Sequence, residues 1–195
     1  MNRTAAIGNG LQAALMLACG RREGLGLLAV EPAHEMAVAR RSFWAVLLCL
    51  PAFVALHLLD WAQTGVPRHA ATNFGWDLAS YVAGWAGFAL LSHTIAARFG
   101  RADRWPRFIA IWNWCNVIQY LMLVVAALPS LLGMPDAVAQ TAWLVAMGWA
   151  LWLEWTATRL ALDIAPSAAA GMVALDLALG LMLVAMTAGY TMGTG

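Results

Sequence analysis

"FIAIWNWCNVIQYLMLVV", residues 108–125, decides the fold. It is apolar at both ends, yet Asn113, Asn116, Gln119 and Tyr120 interrupt its centre. Lipid offers an amide side chain no partner, and an unsatisfied polar group in hydrocarbon is costly. At about 100° per residue, the four polar groups fall on one face roughly 120° wide. The stretch therefore reads as a membrane-spanning helix whose polar face meets protein or water and not lipid. Trp114 points elsewhere, toward lipid or another helix.

Composition extends this reading to the whole chain. Of 195 residues, 63% are hydrophobic and 11% charged, against roughly 25% charged in a soluble domain. Long apolar runs separated by short polar stretches mean a polytopic helical membrane protein. All eleven basic residues are arginine, which together with the Ala, Gly and Trp content suggests a GC-rich bacterial genome. The net charge of +1 and the absence of a basic loop interleaved with aromatics give no footprint for nucleic acid.

Working outward, the spans are expected at 43–61, 76–97, 106–128, 138–158 and 166–190. Each has about 20 residues, enough to cross roughly 30 Å of hydrocarbon. Pro106 and Pro166 stand where helices start, and Pro129 and Pro135 bracket a hairpin. Residues 1–42 read as a cytoplasmic, interfacial N-terminal region and 43–195 as an all-α, five-span bundle. Residues 4–19 form a weak amphipathic helix, with Ile7, Leu11 and Leu15 on one face, expected to lie in the interface without crossing. A second helix begins at Glu31-Pro32 and runs on through Arg40 and Arg41 into the first span.

Arginine sets the orientation. With the N-terminus inside, Arg68 is the one arginine on an outer segment. This positive-inside bias places the N-terminus in the cytoplasm, the C-terminus in the periplasm and the protein in a bacterial inner membrane.

Asp176 stands near mid-span in the fifth segment, about 15 Å from the inner boundary, and Asn116 lies at the same depth in the third. The expected cluster is Asn113, Asn116, Tyr120 and Asp176, with Asp176 hydrogen-bonded to Asn113 or Asn116. A protonated acid can donate to an amide oxygen and accept from an amide nitrogen, so such a pair satisfies itself when dry. His93 and Glu154, each about five residues from the inner boundary, form a second expected polar pair. Two roles compete for the main cluster. It is interhelical glue, or it lines a site or proton path. A polar cavity reaching Asp176 from one side separates the second role from the first.

Other constellations carry less chemistry. His57, Asp60, His69 and Asp77 gather near the outer face without tight ligand spacing, so no metal is expected. His57 and His93 lie at opposite depths, which disfavours a haem. Cys19, Cys49 and Cys115 form no C-x-x-C and read as small hydrophobes. "MLACG" (16–20) loosely resembles a lipoprotein cleavage site, but the polar stretch before it makes a poor signal core. No catalytic or phosphate-binding fingerprint is present. No cofactor and no enzymatic activity are expected.

The layout, with "RWPRFIAIWNW" (104–114) at the start of the third span and "ALDLALGL" (174–181) within the fifth, resembles the Yip family of small membrane proteins. Eukaryotic members of that family interact with Rab GTPases in vesicle traffic, and bacterial relatives have no assigned role. The resemblance implies five spans and a role in contact with other membrane proteins. It transfers no functional residue and no trafficking role. The expected function is a non-enzymatic membrane scaffold or accessory subunit, whose partners are the lipid bilayer, other membrane proteins or a second copy. The alternative is a small transporter or permeability factor using Asp176.

Overall fold

The structure is a computed structural model that describes residues 3–29 and 31–193. The terminal residues named by the topology expectation, Met1 and Gly195, lie outside the described residues. Seven α-helices occur in the order α1 (Arg3–Ala18), α2 (Pro32–Ser42), α3 (Trp44–Thr64), α4 (Ala70–Arg98), α5 (Trp105–Leu131), α6 (Asp136–Leu162) and α7 (Pro166–Gly193). A 3₁₀ segment, Arg22–Leu28, follows α1, and a shorter one, Ala102–Arg104, precedes α5. The described residues contain no strand.

Helix ends follow local chemistry. Proline stands in the first turn of α2 and α5, where its missing N–H leaves no intrahelical bond unmade. Asp163 ends α6 in the left-handed region at φ 51°, and its carboxylate meets Arg104 at 2.9 Å and Arg101 at 3.5 Å. That clamp ties the α4–α5 and α6–α7 connections together at one end of the bundle. Boundaries differ from expectation: α4 begins at Ala70, α6 runs to Leu162 and α5 does not stop at Pro129. Pro129 lies inside α5, which runs on to Leu131 before the turn.

Four stretches are long and apolar enough to cross a membrane: Ala33–Thr64, Ala70–Arg98, Ala102–Leu131 and Pro166–Thr187. The first joins α2 to α3. Helix α6 is 27 residues long but falls outside this set, because Gln140, Glu154 and several tryptophans lower its hydropathy.

The long helices form a ring. Helix α3 packs on α5, α5 on α6, α6 on α7 and α7 on α4. Gly84 and Gly87 of α4 face Leu183 and Leu179 of α7, and small residues of this kind allow close helix approach. The ring closes from α4 to α3 through aromatics. Tyr81 donates to the Val46 carbonyl, and the Phe53 and Tyr81 rings lie 4.8 Å apart.

Helix α5 is the structural axis. Every residue from Phe108 to Cys115 is buried, the polar Asn113 included. Helices α1 and α2 cover the flank of α5 that the ring leaves free. Ala13, Ala14 and Leu17 of α1 are fully buried. A Cβ on Gly10 would sit 2.3 Å from the Trp114 indole, so glycine is what lets α1 approach. The N-terminal region thus docks on α5 as part of the same core. The face that Trp114 presents is met by α1.

Candidate functional site

The polar residues of α5 do not act as one group. Asn113, fully buried, donates through Nδ2 to Ser42 Oγ at 2.7 Å. Ser42 in turn donates to the Ala39 carbonyl at 2.7 Å. Asn113 therefore ties α5 to the end of α2, at the level of Arg40 and Arg41. Gln119 donates to the Ala150 carbonyl of α6 at 2.8 Å. Asn116 donates to the Trp112 carbonyl, one turn back, at 2.9 Å. Tyr120 packs edge-on against Tyr81, with ring centroids 6.1 Å apart.

Asp176 faces α5, as its depth suggested, but it meets neither asparagine in a hydrogen bond among the described residues. Its neighbours are Glu154 of α6 and the Trp112 indole of α5, and the three groups act on one another directly. Trp112, one turn before Asn116, is the α5 residue that acts on Asp176, and its ring packs against Trp85 and Phe88 of α4. Glu154 and Trp112 are 7% and 3% exposed. Glu154 Oε1 and Trp112 Nε1 nonetheless end without a hydrogen bond of ordinary geometry.

The expected His93–Glu154 pair does not form. His93 is exposed and lies 4.9 Å from the Trp105 ring. Its neighbour Ser92 is the residue that turns inward, accepting from Trp105 Nε1 at 3.0 Å. One residue of helix rotates the side chain by about 100°, so burying Ser92 turns His93 out. Glu154 faces the interior and Asp176.

Above this cluster lies a cavity of about 280 Å³ enclosed by α3, α4, α5 and α7. Trp112, Asn116, Tyr120 and Asp176 form its deep end. Phe53, Tyr81 and Trp85 line its sides. His57, Asp77 and Thr187 line the end away from the arginine-rich loops. From Asp176 to Thr187 along α7 the cavity extends about 16 Å. His57 stands between two acceptors, with Nδ1 3.0 Å from the Phe53 carbonyl and Nε2 3.3 Å from Asp77 Oδ2. Of the four outer polar residues, only His57 and Asp77 line this cavity, and the described residues hold no group of three potential metal ligands. A larger hollow of about 550 Å³ between α3, α5 and α6 is lined mainly by Leu and Ala. Its polar residues are exposed or half-buried, and it reaches neither buried carboxyl group.

Below the carboxyl pair, Thr158 Oγ1 and Arg107 Nε are also buried without partners. Thr158 is one turn from Glu154 on the same face of α6.

No family model matches the chain, and neither a curated protein nor a solved structure matches it. The fold and site define a class: an all-helical chain with several membrane-length apolar helices, folded around an aromatic cavity with Asp176 at its base.

Proposed function

We propose that this chain is a small five-span membrane transporter or permeability factor, in which a polar solute reaches Asp176 through the cavity inside the helix ring. The observation that supports this most is the cavity itself. It runs from His57 and Asp77 to a wall containing Asp176. A purely structural contact would be dry and fully hydrogen-bonded, whereas here Glu154 Oε1 and Trp112 Nε1 are left without partners. Unpartnered groups of this kind are costly to bury, and intramembrane acids commonly mark solute or proton pathways.

Five crossings fit this reading. Helix α6 packs against α5 and α7 and is long enough to span at 1.5 Å per residue. The arginine-rich end then faces the cytoplasm of a bacterial cell and the cavity opens toward the periplasm. The Yip-like resemblance concerns layout and supplies no residue roles to this site.

The test uses the purified full chain in liposomes, with shrinkage and reswelling followed by light scattering after addition of choline, glycerol or propionate. At least one solute should enter faster than into protein-free vesicles. Asp176→Asn, with folding confirmed by circular dichroism, should reduce that rate at least tenfold. Entry rates equal to protein-free vesicles for all three solutes would overturn the proposal.

A further inference from the structure

We propose that the cavity binds a small organic ammonium ion, with its charge among the aromatic rings and its donor directed at the Asp176 carboxylate. This rests on the transport reading above and names its substrate class.

Three observations lead to it. The first is the hydrogen-bond balance at the floor. Asp176 lines the cavity, and beside it Glu154 Oε1 and Trp112 Nε1 are buried without hydrogen-bond partners. Asn116 adds to the imbalance, because its amide nitrogen is committed to the Trp112 carbonyl and its oxygen remains an acceptor. A ligand that carries a donor completes the Asp176 and Asn116 acceptors that line the cavity.

The second is charge. The cavity walls contain Asp77 and Asp176 and no arginine. The basic side chain that faces them is His57, which is already engaged with Asp77. A positively charged ligand complements such a lining, and an anion is repelled by it.

The third is the nature of the walls. Phe53, Tyr81, Trp85, Trp112 and Tyr120 present rings to the cavity. A small inorganic cation needs several oxygen ligands in its first shell. An alkylated ammonium instead gains from aromatic faces. A volume of about 280 Å³ suits a small ligand, being near the lower limit of known ligand pockets.

The probe is choline, whose charge is permanent and whose hydroxyl supplies the donor. Its control is 3,3-dimethylbutanol, in which carbon replaces the nitrogen at nearly the same shape. Binding is measured by titration calorimetry on the full chain in lipid nanodiscs in sodium-containing buffer. Choline should bind saturably and at least tenfold more tightly than the neutral control. Asp176→Asn should weaken choline at least tenfold, Asp176→Glu should retain it within about threefold, and Trp85→Leu should weaken it severalfold. Equal affinity for choline and the neutral control would reduce the site to an apolar hollow and overturn the proposal. So would Asp176→Asn binding choline as tightly as the parent, or no choline binding by a parent protein that remains folded. The liposome assay separates the two claims. If glycerol or propionate entry depends on Asp176 while choline does not bind, the transport reading stands and the ammonium class falls. If choline binds through Asp176 but no solute crosses, the site stands and transport falls.

Discussion

Glu154 and Asp176 stand opposite one another across the α6–α7 hairpin, each eleven residues from Ala165. The turn that fixes this register is built by Asp163, in the left-handed region and paired with Arg104 and Arg101. One surface ion-pair cluster at the end of the bundle thus sets which buried acids meet at its centre.

The first prediction concerns that pair. In a double-mutant cycle of Glu154→Gln and Asp176→Asn, followed by thermal unfolding in detergent, the two changes should be non-additive by at least about 0.5 kcal/mol. Additivity within error would mean that the two carboxyl groups do not meet.

The turn itself gives the second. Asp163→Ala keeps the strained φ and loses the ion pairs, so it should cost about 1–2 kcal/mol. Asp163→Gly loses the same pairs but relieves the backbone, so it should lie within about 1 kcal/mol of the parent. Equal losses for the two variants would show that backbone strain at this position is unimportant.

The third tests docking of the N-terminal helix. Gly10→Ala drives a methyl into Trp114 and should destabilise by about 1–3 kcal/mol, with faster proteolysis of the residues before α2. Gly8 has nothing within 4 Å of its added Cβ, so Gly8→Ala should be neutral or stabilising by up to about 1 kcal/mol. A neutral Gly10→Ala would mean that α1 does not pack as described.

Ser42 and Asn113 provide the fourth. Ser42→Ala removes the acceptor of a buried amide and should cost about 1–3 kcal/mol. Replacing both, with Asn113→Leu added, should recover part of that loss, since a matched apolar pair leaves no orphaned donor. A double variant worse than the sum of the two singles would contradict this account.

These residues also mark what the sequence could reveal. The polar residues of α5 are buried or half-buried, because periodicity reports which face is different. It did not report the partner. Asn113 bonds to Ser42, 71 residues away, and that contact depends on how α2 folds back, which no local pattern encodes. Asp176 was visible as a lone acid at depth. Its true neighbour was missed because α6 continues to Leu162, four residues beyond the apolar run, and this shifts Glu154 from near the boundary to the level of Asp176. Counting from the hairpin turn in both directions would have found the pair. The docking of α1 rests on the absence of a side chain at Gly10, a signal that hydropathy does not register.

The central claim is that Asp176 is reached through the cavity from one side of the membrane. It is tested most directly by cysteine accessibility in sealed vesicles of known orientation. The parent for this test has Cys19, Cys49 and Cys115 replaced by alanine. Asp176→Cys should then react with a small, membrane-impermeant, positively charged methanethiosulfonate added on the side of His57 and Asp77. Ala157→Cys, at a fully buried position outside the cavity lining, should stay unmodified. Reaction of Asp176→Cys from neither side, or equally from both, would contradict a cavity with a single opening.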